Sequence, residues 1–270
     1  MQNEDIKNTV RGHYAEVALT DGDAGCAPGC CAPGAEGSLA LGYSEEDIQS
    51  VPDGANMGLG CGNPQAIAKL RAGETVVDLG SGGGFDCFLA ARQVGERGQV
   101  IGVDMTSEMI DKARKNAETL AATNVDFRLG EIEALPLSDN QADVILSNCV
   151  INLSPEKDRV FAEAFRVLTP GGRLAISDVV ALQPLPEPMR ERAEAISGCI
   201  AGAVEATEVE RLLVEAGFEQ VRVQVRPESR AFIANWFPGS GAENYVASAT
   251  IEAVKPDGTN QPCCPPACCA

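Results

Sequence analysis

The sequence is poor in basic residues, in aromatic residues and in histidine. Its 21 lysines and arginines are outnumbered by 39 aspartates and glutamates, which gives a formal net charge of −18. Nucleic-acid binding depends on clustered lysine and arginine side chains that contact phosphates, and the sequence contains no such cluster. We therefore expect no nucleic-acid partner and, for the same electrostatic reason, no binding to an anionic membrane surface.

Long apolar runs are also missing. The opening stretch MQNEDIKNTVRGHYAEV is polar, and no window approaches the ~18 apolar residues of a membrane-spanning helix. We therefore predict a cytoplasmic protein. Thiols stay reduced in that compartment, so the 11 cysteines, an odd number with clustered spacing, are expected to be reactive or ligand thiols.

What the chain does contain is a regular alternation of strands and helices. Between residues 74 and 182 five short apolar strands alternate with helices: TVVDLG, QVIGVD, VDFRLG, ADVILSNCV and RLAISDVV. This pattern predicts an α/β fold with a doubly wound, Rossmann-like parallel sheet covered on both faces. Farther on, VRVQV and NYVASATIEAV alternate with a period of two, which predicts added edge strands and a lid.

These patterns divide the 270-residue chain into four parts. We expect N-terminal helices and a cysteine-rich loop in residues 1–60, and the Rossmann-like domain in 61–182. A C-terminal α+β substrate region is expected in 183–254, and a mobile cysteine-rich tail in 255–270.

Capping residues predict where several helices begin. Ser44 and Asp47 resemble a capping box, and Asn63 is expected to cap a helix with Pro64 in its first turn. A helix that begins at Ser154 and Pro155 is expected to end at Pro170–Gly172. A second helix is predicted over 187–197. Thr207 is expected to cap a third helix, which ends at Gly217.

A glycine-rich loop follows the first strand of the alternating region. Gly80-Ser81-Gly82-Gly83-Gly84 leads into a helix, so that backbone N–H groups and a positive helix terminus lie at the carboxyl end of that strand. A dinucleotide-binding motif that starts at Gly80 requires glycine or alanine where Phe85 stands. The spacing Asp78-x-Gly80-x-Gly82-x-Gly84 instead resembles the first motif of class I S-adenosylmethionine-dependent methyltransferases.

This resemblance implies roles for the polar groups at the ends of the strands. Asp78 is expected to organise the loop and meet the cationic end of S-adenosylmethionine, and Asp104 to accept hydrogen bonds from the ribose hydroxyls. Glu131 and Ile132 are expected near the adenine. Tyr14 is expected either to close over the cofactor or to be buried by an amphipathic helix. The remaining expected cofactor contacts are Gly80, Ser81, Gly82, Gly84, Met105 and Asn148.

Three cysteines stand next to this expected site. Cys61 precedes the predicted helix start at Asn63, where the helix dipole would favour a thiolate. Cys149 directly follows the fourth strand, and Cys199 lies in the region that could fold over the sheet edge. Because the chain has one histidine and no Cys-x-x-Cys pair, a usual zinc ribbon or finger is excluded, and a soft three-coordinate acceptor fits better.

Together, the segments GLGCGNP, DLGSGGGFD, SNCVINL and ISGCIAGA closely resemble the arsenite methyltransferase family. The resemblance implies that Cys61, Cys149 and Cys199 bind As(III), and that a further N-terminal cysteine takes part in reduction or transfer. Cys26, Cys30 and Cys31 all lie in that loop; Cys31 is our candidate, although none of the three aligns uniquely. The arsenic lone pair would attack the sulfonium methyl group, and thioredoxin or glutathione would restore the thiols.

Other interpretations of the cysteines and of the function remain open. Cys87 has apolar neighbours on both sides and is expected to be a core residue, whereas the tail CCPPACC is expected either to capture a metalloid or to be dispensable. One alternative function is a class I methyltransferase with a small-molecule carbon or oxygen acceptor. Another is a non-enzymatic thiol protein that sequesters metalloids.

Overall fold

A mixed β-sheet lies at the centre of the molecule. The computed structural model describes residues 3–19, 34–190, 199–236 and 239–258. Within these residues seven strands pair in the order β3-β2-β1-β4-β5-β7-β6, with β7 antiparallel to both of its neighbours. The strands are β1 (Thr75–Leu79), β2 (Gln99–Asp104), β3 (Val125–Leu129), β4 (Ala142–Asn148), β5 (Leu168–Ala181), β6 (Glu219–Arg226) and β7 (Val246–Val254).

The parallel part of the sheet is buried on both faces. Val76 packs into one buried cluster with Val100 and Val144, whereas its neighbour Val77 packs into a second cluster with Ile101. Successive side chains of a strand point to opposite faces, so this alternation requires cover on both sides. The doubly wound α/β class predicted from the sequence is therefore confirmed.

Helices cover both faces of the sheet and extend beyond its end. They are α1 (Asn3–Leu19), α2 (Gly34–Ala40), α3 (Glu45–Gln49), α4 (Gln65–Ala68), α5 (Phe85–Val94), α6 (Ser107–Leu120), α7 (Lys157–Val167), α8 (Glu187–Arg190), α9 (Ala206–Glu215) and α10 (Arg230–Ile233). Short 3₁₀ helices span Ile151–Leu153, Pro227–Ser229 and Ala242–Asn244. Among the described residues, no helix combines the length and the apolar character needed to cross a membrane.

The predicted caps are partly confirmed. Ser44 and Asp47 form the expected capping box. The side chain of Asn63 accepts a hydrogen bond from the N–H of Ala66 at 3.2 Å, although the helix itself begins at Gln65. The cap at Thr207 is wrong, because that residue lies inside α9, which follows Glu205 and has no side-chain cap.

Two further boundaries differ from the prediction. The helix expected from Ser154 begins at Lys157, and β5 begins at Leu168 and continues through the Pro-Gly-Gly stretch. Backbone hydrogen bonds from Gly171 to Lys255 and from Lys255 to Gly172 continue the pairing there, so long-range contacts override a local turn signal. Of the helix expected over 187–197, Glu187–Arg190 is helical and the rest lies outside the described residues.

The C-terminal strands belong to the same sheet as the first five. Strand β7 lies between β5 and β6 and pairs with both, so the expectation of two edge strands is wrong for β7 and holds for β6 alone. Its nine residues are largely buried, which suits a position inside the sheet. This pairing brings β7 next to the end of β5, where the expected substrate thiols lie.

Candidate active site

The glycine loop turns sharply between β1 and α5. Gly80 has a φ of 69°, a left-handed conformation that strains other residues, and an added Cβ would lie 2.3 Å from the Val150 side chain. The N–H groups of Gly80 and Ser81 both donate to the carbonyl of Val103 on β2. Glycine is therefore needed at position 80 for the backbone conformation and for the close approach of Val150.

Asp104 ends β2 directly opposite this loop. Its carboxylate accepts hydrogen bonds from the N–H groups of Gly82 at 3.0 Å and Thr106 at 2.9 Å. Burial raises the pKa of Asp104, while these two backbone donors act in the opposite direction. The carboxylate thus holds the glycine loop in place and also borders the space in front of it.

A cavity of about 1130 Å³, including its opening to solvent, lies in front of the loop. Buried side-chain atoms of Ser81, Thr106 and Asn56, which all contribute to its wall, have no hydrogen-bond partner within the described residues. Buried polar groups in proteins are almost always paired, so these atoms indicate a polar ligand. Nine residues that we expected to contact the cofactor line the cavity: Tyr14, Asp78, Gly80, Ser81, Gly82, Asp104, Met105, Ile132 and Asn148.

Two of the expected cofactor residues do not line the cavity. Gly84 is the N-cap of α5, and a Cβ there would meet the rings of Phe88 and Phe127. Glu131 instead pairs with Lys7 at 3.0 Å and with Arg11 at 3.1 Å. Gly84 therefore serves helix packing, and Glu131 serves the docking of α1, whose Tyr14 reaches the cavity.

A buried hydrogen-bond network lies between the glycine loop and the substrate thiols. The Tyr43 hydroxyl donates to the Asp86 carboxylate, with distances of 2.9 and 3.1 Å to its two oxygens. The Asn148 amide donates to the Tyr43 hydroxyl at 3.1 Å and to the Gly62 carbonyl at 2.9 Å. Sequence reasoning missed Tyr43 and Asp86, although the quoted motif DLGSGGGFD ends on Asp86.

The three expected substrate cysteines belong to one buried cluster, in which the sulfur atoms of Cys61 and Cys149 lie within 4.8 Å of each other. Cys61, Cys149 and Cys199 are 1%, 5% and 2% exposed and share one buried cluster with Val179 and Trp236. The Cys199 thiol donates to the backbone carbonyl of Cys149. Cys149 also lines the cavity, so the thiol cluster meets the proposed cofactor site at this residue.

Cys61 is fixed from several sides. Its N–H donates to the Asn148 side chain at 3.1 Å, and its carbonyl accepts from the Ser248 hydroxyl at 2.7 Å. Its thiol lies 3.6 Å from the carbonyl of Ser177. Strands β4, β5 and β7 therefore each contribute one contact that holds this thiol.

Burial disfavours the thiolate that was expected at Cys61. Burial raises the pKa of Cys61 to about 11 and that of Cys149 well above its usual value. The helix near Cys61 has only four residues, so its dipole does not offset the cost of a buried charge. Cys149 and Cys199 both have left-handed backbones, with φ of 62° and 66°. Such conformations are strained in non-glycine residues and cluster at functional sites.

Asp178 is a buried carboxylate beside the thiols that sequence reasoning missed. One of its oxygens and the sulfur atoms of Cys61 and Cys149 lie within 4.8 Å of one another. Its two oxygens already accept hydrogen bonds from Ile151, Asn152 and Val179, at 2.9 Å from Ile151 and 2.7 Å from Val179. Asp178 therefore anchors the turn after Cys149 and has no lone pair left for an ion.

The remaining cysteines separate into two groups. Cys87 is fully buried in the helix α5 core, as expected, and its thiol lies 3.2 Å from the Asp78 carboxylate. Our candidate Cys31, its neighbours Cys26 and Cys30, and the four tail cysteines lie outside the described residues.

Comparison with known proteins defines the class. The family model described as a methyltransferase domain matches residues 70–217. A solved structure of an arsenic(III) S-adenosylmethionine methyltransferase from Chlamydomonas reinhardtii is 34% identical, with a TM-score of 0.59 over 84% of this chain and 76% of that one. Together with the sheet order and the glycine loop, these matches define a class I S-adenosylmethionine-dependent methyltransferase.

Two curated relatives narrow this class. The arsenite methyltransferase of Halobacterium salinarum is 51% identical over 94% of this chain and 67% of its own length. That of Aquipseudomonas alcaligenes is 42% identical over 76% of this chain and 60% of its own length. The chain therefore spans about three fifths to two thirds of these relatives, and it belongs to the arsenite methyltransferase family.

Proposed function

We propose that this protein transfers a methyl group from S-adenosylmethionine to trivalent arsenic bound by Cys61, Cys149 and Cys199. The substrates would be arsenite and methylarsenite, and the reaction would contribute to arsenic detoxification. The observation that carries the proposal is one buried cluster that contains all three cysteines and reaches the glycine-loop cavity through Cys149.

The residues around the cavity fit S-adenosylmethionine. The glycines of the loop present backbone without side chains to the cavity, and the buried Ser81 hydroxyl has no hydrogen-bond partner among the described residues. Asp78 and Asp86 are buried carboxylates with no lysine or arginine ion pair among the described residues, which suits a ligand that carries positive charge. When bound, the cofactor supplies an electrophilic methyl group on a positively charged sulfur.

The chemistry of the thiols suits arsenite. Each thiol replaces one hydroxyl group of arsenous acid, and its proton leaves with that hydroxyl group as water. Three sulfur ligands leave a lone pair on arsenic, which can attack a methyl group directly, so no general base is needed. The roles of the chain are to hold the three sulfur atoms and to exclude water.

A reductant completes the proposed cycle. Methyl transfer takes arsenic from the trivalent to the pentavalent state, and two thiols can return two electrons by forming a disulfide. Cys31 or a neighbouring N-terminal cysteine would take part, and thioredoxin or glutathione would reduce the disulfide. Such a cycle requires a reducing compartment, which supports a cytoplasmic location.

The proposal is tested by incubating the protein with arsenite, methyl-labelled S-adenosylmethionine and a thiol reductant. Arsenic species are then separated by chromatography with element-specific detection. We expect labelled methylarsenicals, and a loss of about 100-fold or more in rate for Cys149→Ser and Cys199→Ser. Arsenite that binds without methylation would support sequestration, and neither binding nor methylation would support a different methyl acceptor.

A matched control uses the fourth described cysteine. Cys87→Ser changes a buried thiol outside the cluster, so in the absence of cofactor arsenite should bind with the same stoichiometry as in the unmodified protein. Equal losses of arsenite binding in the Cys87 and Cys149 variants would contradict the assignment of the ligands.

A further inference from the structure

Asn148 connects the thiol site to the cofactor cavity. Its side-chain oxygen accepts the Cys61 N–H at 3.1 Å, while its nitrogen donates to the Gly62 carbonyl at 2.9 Å. A donor on one side and an acceptor on the other fix the orientation of the amide. A Cβ added at Gly60 would lie 2.7 Å from this amide, so the loop that carries Cys61 is pressed against it.

The opposite side of Asn148 contacts Tyr43 and Asp86. The Asn148 nitrogen lies 3.1 Å from the Tyr43 hydroxyl and 3.3 Å from an Asp86 oxygen. Since the Tyr43 hydroxyl gives its proton to Asp86, it accepts from Asn148. A chain of hydrogen bonds therefore runs from Asp86 through Tyr43 and Asn148 to the backbone of Cys61.

Asp86 is in a position to respond to the cofactor cavity. It lies in the first turn of α5, directly after the glycine loop. The hydrogen-bonded side chains of Asp86, Tyr43 and Asn148 all line the cavity. Burial raises the pKa of Asp86, and within the described residues no lysine or arginine forms an ion pair with it. A cationic ligand nearby favours the ionised carboxylate, which is the stronger acceptor for Tyr43.

We propose that Asn148, Tyr43 and Asp86 are positioning residues that couple cofactor binding to arsenic binding by fixing the loop of Cys61. This inference rests on the proposed function. Coupling between two sites is reciprocal, so arsenite and the cofactor each tighten the binding of the other. Asn148 then serves both sites, whereas the sequence indicated only a cofactor contact.

The test measures arsenite affinity without turnover. Trp236 is the only tryptophan in the chain and shares the buried cluster of the three thiols, so its fluorescence is a suitable reporter of arsenite binding. The dissociation constant for arsenite is measured with and without sinefungin, a cationic analogue that cannot transfer a methyl group. For the unmodified protein we expect sinefungin to tighten arsenite binding about five-fold or more.

Tyr43→Phe removes only the hydroxyl that joins Asp86 to Asn148. We expect the coupling factor in Tyr43→Phe to fall to about one, whatever the affinity of this variant for each ligand alone. Asn148→Asp is the second variant, since it can still accept the Cys61 N–H but cannot donate to Gly62 or Tyr43. Tyr245→Phe is the matched control, because Tyr245 also packs against the thiol cluster but is not part of the described hydrogen bonds that join Asp86, Tyr43, Asn148 and Cys61.

The outcomes separate this inference from the proposed function. Coupling that persists in both Tyr43→Phe and Asn148→Asp would overturn the inference, as would its absence in the unmodified protein that binds and methylates arsenite. Failure of the unmodified protein to bind arsenite at all would instead contradict the proposed function. Loss of coupling in both variants with Tyr245→Phe unchanged would support the positioning role.

Discussion

The docking of helix α1 depends on one lysine, and its removal is a sharp test of the structure. Lys7 is 7% exposed and lies 3.0 Å from Glu131 and 3.3 Å from both Glu133 and Glu156. Burial alone would lower the pKa of Lys7, but these carboxylates raise it above its usual value. Lys7→Met keeps the length of the side chain and leaves Glu133, which is 5% exposed, without its cation.

The free-energy cost of Lys7→Met follows from how deeply its three glutamate partners are buried. Removing one member of a buried ion pair costs about 3–5 kcal/mol, chiefly because the other charge stays buried. Glu131 and Glu156 are partly exposed and can be solvated, so we expect a cost at the lower end of this range. The free energy needed to detach α1 from the rest of the molecule should therefore fall by about 3 kcal/mol. Such a change corresponds to about a 100-fold increase in the opened population.

Hydrogen–deuterium exchange with mass spectrometry measures this opening directly. Amides of residues 3–19 should exchange about 100-fold faster in Lys7→Met, and cofactor affinity should fall because Tyr14 and Lys7 line the cavity. Lys115→Met, which removes an exposed lysine of α6, is the control and should change neither. The double change Lys7→Met with Glu133→Gln should recover much of the protection, since the glutamine can still accept the Ser154 hydroxyl. Unchanged exchange in Lys7→Met, or no recovery in the double variant, would refute the reasoning.

Two further predictions concern the thiol site and the glycine loop. Because burial raises the pKa of Cys61 to about 11, the ultraviolet absorbance of its thiolate, taken as the difference between the unmodified protein and Cys61→Ser, should stay low through pH 9 and keep rising above it. A titration midpoint at or below pH 9 would instead show a thiolate of ordinary or lowered pKa and would contradict this account. Gly80→Ala should lower the free energy of unfolding by about 1–3 kcal/mol more than Gly82→Ala, because only the former places a Cβ against Val150. Equal urea denaturation midpoints for the two variants would contradict this account.

The parts of the fold that were predicted correctly are those set by local sequence. The alternation of apolar strands with helices and the Asp78-to-Gly84 motif each lie within a short stretch, so period and turn chemistry reveal them. The position of β7 inside the sheet depends on its pairing with β5, which lies more than sixty residues earlier in the sequence, and no local pattern encodes this pairing. The same limit applies to β5, where pairing with the segment at Lys255 overrides a turn signal.

The residues of the candidate site also divide into those that local sequence predicts and those that depend on long-range contacts. Asp104 and the glycines could be predicted because they follow strands directly, and parallel strands end at one edge of the sheet. Tyr43 donates a hydrogen bond to Asp86, which lies 43 residues later in the sequence, and Lys7 pairs with Glu133, which lies 126 residues later. No local sequence pattern around Tyr43 or Lys7 predicts these contacts. The raised pKa of Cys61 also depends on burial by distant elements, which the local helix signal does not encode.

Neutral thiols are an advantage for the substrate that we propose. Arsenous acid is uncharged at neutral pH, and exchange of its hydroxyl groups for three thiols releases only water, so the buried cluster gains no charge. Three thiolates in the same apolar surroundings, beside the Asp178 carboxylate, would carry a large desolvation cost. Arsenate is an anion at this pH and would have to lose its hydration next to the carboxylates of Asp178 and Asp86. Burial raises the pKa of Asp178 and the charge of Lys157 acts in the opposite direction, but among the described residues Lys157 forms no ion pair with either carboxylate. The burial that raises the thiol pKa values therefore also favours trivalent over pentavalent inorganic arsenic.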